Sequence, residues 1–341
     1  MINLETKQQK KQHKGLKIFL IVLASIIAVI AIFEIISCTY HSSPENVEAY
    51  ECDNPYIVGT DTPEVSAHRS GGGIMPEETM MAFQNCAESG DFSVDIFEFD
   101  LHITKDNVLV LLHDDTLDRT SDCVEIFGCE DVRPEDYTYE ELRVLNMGAK
   151  FENENGETPF AELHNNEVPD NLRILRLEDV LDYLTRVCPN ADYIIEIKND
   201  GELGMQGVDI LHEILEQKDL LDDVIFGTFH EEVSHYVDNT YPDMARSATI
   251  NEVLSFYKAA ITDDESFEAK YIALQIPYNM PFRLAANLGT TTVINYAHEH
   301  NIAVQYWTVN SEKDLRYLSS IGADCIMTDY PNVLYAVANE K

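Results

Sequence analysis

The sequence has 341 residues, enough for one large domain or two ordinary ones. It contains 23 basic and 61 acidic residues, a formal net charge of −38. Five of the basic and two of the acidic residues lie in the first 40, which leaves a net charge of −41 on the rest. A field of that sign repels nucleic acid and attracts cations, so the composition argues against a nucleic-acid partner.

The amino-terminal segment predicts a membrane anchor. Residues 1–17 form a basic tail with five lysines, and residues 18–33 carry no charged side chain. A helix over 18–38 is close to the thickness of a bilayer's hydrocarbon core, and lysines on its amino side place that end in the cytoplasm. We therefore expect a single-pass signal anchor in the cell membrane, with the rest of the chain extracytoplasmic. An uncleaved anchor is favoured; the alternative is a lipoprotein, because Ile35-Ile36-Ser37-Cys38 is similar to a lipobox.

Residues 39–58 are polar and acidic and predict a linker, and 59–341 predict one domain of alternating strands and helices. Strand patterns fall at 63–68, 95–102, 107–112, 192–198, 223–228, 243–248, 271–276, 302–308 and 323–328. Helix patterns fall at 77–89, 177–187, 207–217, 250–261, 290–299, 311–320 and 331–339. Such alternation indicates an α/β fold with a parallel sheet.

The nine predicted strands reduce to eight parallel ones. Only residues 103–106 separate the second strand from the third, too few for a parallel crossover, so these two form an antiparallel hairpin. The eight remaining parallel strands predict a (β/α)8 barrel with an inserted hairpin and loop region. The hairpin also returns His113 to the end of the barrel where Glu98 and Asp100 lie.

The strand at 95–102 carries the first candidate site. Phe97 and Phe99 share one face, and Glu98 and Asp100 share the other. Two carboxylates on one strand face repel each other, and burial adds to that cost. A divalent cation held by oxygen ligands would remove both penalties. The alternative is an edge strand whose acidic face is solvated.

Two histidines flank this strand. His68 ends the run at 64–68, and His113 ends the apolar run at 108–112. The carboxyl ends of strands are where α/β enzymes place their chemistry. Either histidine alone is more often structural. Two that bracket a carboxylate pair suit a metal-assisted acid–base site.

Two later strands carry further candidates. Glu196 and Lys198 share a face of the strand at 192–198, where a buried pair would ordinarily neutralise itself. Trp307, the only tryptophan, falls in the strand at 302–308, where packing is the usual role.

Six sequence blocks follow one another in a specific order and spacing. They are His68-Arg69, Pro76-Glu77-Glu78-Thr79, Glu98-x-Asp100, Thr104-Lys105-Asp106, His113-Asp114 and Leu117-Asp118-Arg119-Thr120. Together they resemble the glycerophosphodiester phosphodiesterase family. The family usually has glycine at Ser70 and asparagine at Glu78, and neither departure touches a residue that we expect to do chemistry.

The resemblance implies a TIM barrel at 59–341 and a phosphoric diester hydrolase. It implies hydrolysis of glycerophosphodiesters to an alcohol and sn-glycerol 3-phosphate. It also implies that residues 120–175 cover the mouth of the site and take part in substrate selection. Glu98, Asp100 and Glu196 would be the ligands of a divalent cation, Ca²⁺ or Mg²⁺.

The resemblance also implies roles for five other residues. Arg69 and Lys198 would bind the phosphate, and Trp307 would line the glycerol pocket. His68 and His113 would be the catalytic acid and base. The resemblance suggests His113 as the base and His68 as the acid, whereas the sequence itself leaves that assignment open.

The predicted function is therefore metal-dependent glycerophosphodiester hydrolysis, and two alternatives stay open. A membrane-facing lysophospholipase D would use the same barrel, and the anchor motivates it by holding the site near lipids. A catalytically inactive extracellular binding module is motivated by the departures at Ser70 and Glu78. The expected partners are a small glycerophosphodiester or lysophospholipid substrate and, through the amino-terminal helix, the membrane.

Overall fold

The computed structural model describes residues 15–32, 52–58, 62–278 and 287–340. Most of the predicted basic tail, the carboxyl end of the predicted anchor with Cys38, and the first part of the predicted linker lie outside the described residues. Helix α1, Gly15–Ile32, is long and apolar enough to cross a membrane, and its large side chains are exposed. A signal sequence has the same length and composition. The anchor and the domain bounds therefore stay predictions.

The described strands belong to one sheet, which nearly closes into a barrel. They are β1 Glu64–Ala67, β2 Ile96–Ile103, β3 Leu109–Leu111, β4 Asp192–Ile197, β5 Val224–Gly227, β6 Ala273–Pro277, β7 Ala303–Trp307 and β8 Cys325–Thr328. The parallel strands follow the order β5-β4-β2-β1-β8-β7-β6, and β3 pairs with β2 outside this path.

Helices alternate with these strands along the chain. They are α2 Met80–Ala87, α3 Cys123–Phe127, α4 Tyr139–Leu142, α5 Leu177–Val187, α6 Gly201–Lys218, α7 Glu231–Thr240, α8 Ile250–Thr262, α9 Thr291–Glu299, α10 Glu312–Ser320 and α11 Pro331–Ala338. Helix α5 has the predicted bounds. Helix α7 is missing from the prediction, although Val233 and Val237, one turn apart, mark its buried face.

The prediction of a continuous strand at 243–248 is wrong. Only Arg246 and Ser247 form bridges, Arg246 with Phe226 of β5 and Ser247 with Ala273 of β6. The Arg246 guanidinium is buried and donates hydrogen bonds to one carboxylate of α7 and one of α8, which anchors the segment by its side chain. The two bridges link β5 to β6, so the predicted TIM-barrel fold is confirmed.

The predicted β2–β3 hairpin is confirmed as well. Leu101 pairs with Leu111 in antiparallel register. Asn107 takes a left-handed φ of 62° in the turn, a conformation that asparagine tolerates better than most residues. Because the chain reverses here, His113 lies at the same end of the barrel as the carboxyl end of β2.

The barrel interior changes from apolar to charged along its axis. Ile96, Ile194 and Ile225 belong to an apolar cluster at the start of their strands. Two residues further along β2, Glu98 lies on the same face as Ile96 and is also buried. The opposite face of β2 packs on the outer helices, where Phe99 meets Phe83 of α2 edge-on with ring centroids 5.7 Å apart. The predicted ligands therefore lie beyond this apolar layer, toward the carboxyl ends of the strands.

Candidate active site

Most of the predicted site residues share one cavity of about 290 Å³ at the carboxyl ends of the strands. Its lining includes His68, Arg69, Glu98, Asp100, His113, Glu196 and Trp307. The remaining predicted residue, Lys198, follows β4, and its Nζ lies 2.9 Å from Oε1 of Glu196. The described residues that line the cavity include none from 120–175. That excursion therefore does not form the cavity wall, and its role in substrate selection stays a prediction.

His68 is held by residues that follow the last two strands. Its Nδ1 lies 2.6 Å from Oδ1 of Asp329, which comes directly after β8. Asn310 donates a hydrogen bond to the other Asp329 oxygen at 2.6 Å, and Thr308 Oγ1 lies 3.2 Å from His68 Nε2. Burial alone would lower the pKa of His68, but the charges of Glu98 and Asp329 outweigh it and raise the pKa above its ordinary value. This environment favours the protonated ring.

His113 has a carboxylate partner of its own. Its Nδ1 lies 2.7 Å from Oδ1 of Asp114, and Arg119 donates from Nε to the other Asp114 oxygen at 2.6 Å. Burial lowers the pKa of His113, and two neighbouring cations add to that effect against the charge of Asp100. The neutral ring is favoured here. The two histidines are therefore shifted in opposite directions, a pattern typical of acid–base pairs.

Three predicted ligands form a buried cluster of like charge. Glu98 accepts a hydrogen bond from the backbone N–H of Arg69 at 2.7 Å. Burial and the charge of Asp100 raise the pKa of Glu98 to about 7 and that of Glu196 to about 8. The pKa of Asp100 is lowered in spite of burial, because Lys198 leads the cations that stabilise its charge. The negative charge of the cluster thus centres on Asp100.

The carboxylate of Asp100 has no hydrogen-bond donor among the described residues, although it is only 1 % exposed. Arg69 Nε and Lys198 Nζ lie 3.7 and 3.4 Å from its oxygens, beyond good hydrogen-bond length. Buried carboxylate oxygens without hydrogen-bond donors suit Ca²⁺ or Mg²⁺, which prefer oxygen ligands. In the described part of the chain, however, no three such side chains already stand in a metal-coordinating arrangement. The donor set fits a cation by its chemistry.

The turn after β1 is strained in order to build this site. Arg69 and Ser70 have φ of 47° and 60°, and Gly71 continues at 81°. A residue with a Cβ adopts this left-handed region at a cost. The turn directs the Arg69 N–H at Glu98 and brings its guanidinium close to Asp100. A glycine is usual at position 70 for this reason, and Ser70 adopts the same conformation here.

Glu78 is a fourth carboxylate in this cluster. It is 4 % exposed, and its Oε1 accepts a hydrogen bond from the backbone N–H of Asp100 at 2.7 Å. Burial and the charge of Asp100 raise the pKa of Glu78 well above its ordinary value. Glu78 is not itself one of the predicted site residues, but its side chain contacts the backbone of Asp100, a predicted ligand. Its φ of 54° also accounts for asparagine as the usual residue.

The opposite side of the cavity is aromatic. Trp307 ends β7 and Phe229 follows β5, and their rings meet edge-on with centroids 5.8 Å apart. Lys198 Nζ lies 5.5 Å from the centroid of Phe229. Trp307 is therefore part of the cavity wall as well as of the packing. The cavity combines a charged half with an apolar half.

A sequence model of the Glycerophosphoryl diester phosphodiesterase family matches residues 68–333, most of the chain. This chain belongs to that family. It is 28% identical over 276 residues to a glycerophosphodiester phosphodiesterase of Bacillus subtilis (strain 168), covering 80% of this chain and 85% of that protein. It is 26% identical over 289 residues to a lysophospholipase D of Mus musculus, covering 79% of this chain and 80% of that protein.

Solved structures give the same fold. A phosphodiesterase of Oleispira antarctica, solved in complex with the product sn-glycerol-3-phosphate, matches with a TM-score of 0.59 at 19% identity. The match covers 82% of this chain and 98% of that chain. The predictions of the family, of the barrel and of a phosphodiesterase enzyme are confirmed.

Within this family fold, two charged residues lie beside the site without a predicted role. Arg119 donates from Nη1 and Nη2 to the two oxygens of Glu77 at 2.9 and 2.6 Å. Glu77 in turn accepts a hydrogen bond from Arg69 Nη1 at 3.2 Å. Through Glu77, Arg119 thereby joins Asp114, behind His113, to Arg69, a predicted phosphate-binding residue. Both residues fall in the matching blocks, but their pairing is invisible in the sequence.

Arg119→Ala is expected to lower kcat for a glycerophosphodiester by about 10-fold, the usual size of such supporting contacts. Without the guanidinium, the Asp114 charge acts on His113 uncompensated. The pKa of His113 then rises, and the acid limb of the pH–rate profile moves to higher pH. Steady-state kinetics across pH measure both effects. Arg119→Lys keeps the charge without the planar fork and should recover activity in part.

The matched control for this prediction is Arg316→Ala. Arg316 also pairs with two glutamates, on the outside of the barrel, and does not line the cavity. That variant should keep both kcat and the pH profile. If Arg119→Ala also kept kcat and the pH profile, Arg119 would have no positioning role.

Proposed function

We propose that this protein hydrolyses glycerophosphodiesters to an alcohol and sn-glycerol 3-phosphate, with a divalent cation and two histidines as acid and base. The observation that carries the proposal is the pair His68 and His113, which line one cavity and each have an aspartate at Nδ1. An aspartate at Nδ1 fixes the tautomer and leaves Nε2 for proton transfer. The Bacillus subtilis relative and the product complex of the Oleispira antarctica protein support the substrate class.

The opposite directions of the two pKa shifts support one assignment of these roles. His113, with its lowered pKa, is the neutral base that takes the proton of the attacking hydroxyl. His68, with its raised pKa, is the acid that gives a proton to the leaving alkoxide. One P–O bond forms as another breaks, and one proton is taken for each one given. Water is the only co-reactant.

Arg69 and Lys198 are proposed to bind the phosphate. Both cations lie within 4 Å of Asp100, at the polar end of the cavity. The Arg69 guanidinium can contact two phosphate oxygens at once, whereas the Lys198 ammonium acts as a point charge. Trp307 offers its ring to the carbon backbone of the glycerol, on the apolar side of the same cavity.

Glu98, Asp100 and Glu196 are the proposed ligands of a Ca²⁺ or Mg²⁺ ion. Bound there, the ion would neutralise phosphate charge and lower the pKa of a bound hydroxyl. The proposal rests on the oxygens of Asp100 that lack donors and on the raised pKa values of Glu98 and Glu196. A buried carboxylate cluster of this charge is stabilised by a cation.

We also propose that α1 anchors the protein in the cell membrane, with the barrel extracytoplasmic. The lysines that precede the apolar residues support this orientation. Protease added to intact spheroplasts, followed by detection of the barrel, tests the placement. Protection of the barrel would contradict it.

The decisive assay measures sn-glycerol 3-phosphate released from glycerophosphocholine by the full chain in detergent. Release is expected to stop in EDTA, because removal of the ion leaves the carboxylate cluster uncompensated. It should return when Ca²⁺ or Mg²⁺ is restored. Release that persists after exhaustive chelation would contradict the metal role. A folded protein without release under any metal would favour the inactive binding module instead.

A further inference from the structure

The interior of the barrel holds two amide side chains beside the active-site cavity. Gln275 of β6 and Gln305 of β7 are partners in the register of the sheet, and Gln275 donates from Nε2 to Oε1 of Gln305 at 3.0 Å. They follow Ala273 and Ala303 by two residues, so they share the inward face with these members of the apolar cluster. They therefore lie one layer closer to the carboxyl ends of the strands, as Glu98 does on β2. We call these two residues the amide pair.

The amide pair is costly to bury. Gln305 is completely buried, and its Nε2 has no acceptor among the described residues. A buried amide without its full set of partners lowers stability, whereas two aliphatic side chains of similar volume would fill the same space without that cost. A cost of this kind beside a cavity is typical of a functional site.

Gln275 faces the cavity, and Gln305 lies behind it. Gln275 is partly buried and belongs to the lining, whereas Gln305 does not. Oε1 of Gln275 accepts no hydrogen bond from a described residue. A Cβ on Gly227 would lie 3.4 Å from this oxygen and 3.8 Å from Cβ of Glu196. Because Gly227 has no side chain, the space between the amide and that predicted metal ligand stays open.

Of the described residues that line the cavity, Gln275 is the one amide. Three hydroxyl side chains of the lining, in contrast, already have a partner within the protein: Thr228, Ser247 and Thr308. Gln275 thus offers a neutral acceptor that a ligand or solvent must satisfy. A hydroxyl group can donate to it, whereas the oxygens of a phosphodiester have no proton to give.

The amide pair lies deeper in the barrel than the proposed glycerol-binding ring. Pro277 and Trp307 are the next inward-facing partners on β6 and β7, two residues beyond Gln275 and Gln305. In a glycerol that lies on the Trp307 ring with its phosphate at the proposed cationic residues, the terminal hydroxyl is the polar group farthest from phosphorus. That hydroxyl is the one that can extend toward the amide pair.

We propose that Gln275 binds the terminal hydroxyl of the glycerol through Oε1, and that Gln305 is a positioning residue that holds the Gln275 amide. This inference rests on the proposed function and adds a specificity determinant to it. Cations then bind the phosphate, the Trp307 ring packs against the carbon backbone, and the amide pair reads the hydroxyl. A diester without that hydroxyl leaves the acceptor unpaired and should react more slowly.

The test uses the full chain in detergent and measures choline release from two substrates. One is glycerophosphocholine, and the other is propane-1,2-diol 1-phosphocholine, which lacks only the terminal hydroxyl. For the native protein, kcat/KM is expected to be higher for glycerophosphocholine by on the order of 10-fold, because an unpaired polar group in the site disfavours the analogue. Gln275→Leu, of similar volume, should lose most of this preference through a lower kcat/KM for glycerophosphocholine.

Gln305→Met tests the positioning role. Without its partner the Gln275 amide is no longer fixed, so the preference for glycerophosphocholine should fall in this variant too. A merely structural role for Gln305 would lower the amount of folded protein, which changes both substrates alike and leaves their ratio intact.

Gln206→Leu is the matched control. Gln206 also donates to an amide, Oδ1 of Asn107 at 2.9 Å, but it does not line the cavity. This variant should keep the native preference. Product inhibition gives the same comparison without any substitution: sn-glycerol 3-phosphate should inhibit the native protein at lower concentration than propane-1,2-diol 1-phosphate does.

Equal kcat/KM of the native protein for the two substrates would overturn the inference, and so would an equal loss on both in Gln275→Leu. If Gln275→Leu does not fold, the two products decide, and equal inhibition by them would overturn it. Choline release from glycerophosphocholine without a preference removes only this inference. Release from neither substrate by the folded native protein removes the proposed function itself.

Discussion

Alanine in place of either proposed catalytic histidine, His68 or His113, is expected to lower kcat for glycerophosphocholine by at least about 10²-fold. Each ring is oriented by its own aspartate at Nδ1, so neither histidine can replace the other in proton transfer. The loss should appear in kcat, because proton transfer belongs to the transition state and substrate binding rests on other residues. Release of sn-glycerol 3-phosphate at saturating cation measures it.

The pH–rate profile separates the two roles. His113→Ala should remove the acid limb, since a base with a lowered pKa must lose its proton to act. His68→Ala should remove the alkaline limb, since an acid with a raised pKa must keep its proton. If the limbs disappear in the opposite order, the assignment of acid and base is reversed.

His212→Ala controls for the loss of a histidine–aspartate contact as such. His212 Nε2 lies 3.2 Å from Asp243 Oδ2, and its ring stacks on Tyr241 with centroids 4.1 Å apart, away from the cavity. This variant should retain full turnover. Thermal unfolding and circular dichroism establish that all three variants fold. Near-normal turnover in both His68→Ala and His113→Ala would sink the acid–base mechanism.

The barrel was predictable from local patterns because most of its elements show a regular period. Alternation along 95–102 and the short link before β3 determine a hairpin without tertiary information. The segment at 243–248 was wrongly predicted as a strand because it is apolar in part, yet its backbone makes only two bridges. Its position depends on a buried guanidinium held by two helices. Sequence periodicity does not report such side-chain contacts.

The sequence predicted the titratable residues that line the cavity, but not the residues that hold them in place. The predicted ligands and histidines fall in short blocks within a strand or directly after one, where position alone indicates chemistry. Their partners come from far along the chain: Asp329 lies 261 residues from His68, and Arg119 lies 42 from Glu77. The contact of Glu78 with Asp100 was not predicted, because the orientation of Glu78 depends on a left-handed backbone angle. Neither the residue spacing nor the composition predicts that backbone angle.

Glu98→Gln is expected to lower activity by about 10²-fold or more, with no rescue by added Ca²⁺ or Mg²⁺. The amide oxygen can still accept the hydrogen bond of the Arg69 N–H, so the turn after β1 keeps its support. The substitution removes one proposed ligand and a charge that helps to keep His68 protonated. Ca²⁺ or Mg²⁺ should raise the unfolding temperature of the native protein and leave that of the variant almost unchanged.

The same substitution should stabilise the metal-free protein at alkaline pH. The folded pKa of Glu98 is raised from 4.5 to about 7, so the folded state binds this proton more tightly than the unfolded chain does. Its contribution to the free energy of unfolding is present below pH 4.5 and is lost as the pH rises through about 7. Glutamine has no proton to lose. The variant and the native protein should therefore unfold alike near pH 4.5, and the variant should be the more stable above pH 7.

Glu64→Gln separates relief of buried charge from loss of a ligand. Glu64 begins β1 at the other end of the barrel, and burial and three aspartates, Asp192, Asp95 and Asp324, raise its pKa to about 8. Because the folded pKa of Glu64 is also raised, Glu64→Gln should stabilise the protein at alkaline pH. Turnover and the response to cations should stay intact. If Glu98→Gln also kept its turnover and cation response, Glu98 would be no more than a buried carboxylate. If Glu98→Gln lost turnover and cation response but was no more stable than the native protein above pH 7, repulsion between the buried carboxylates would not be the reason that a cation is needed.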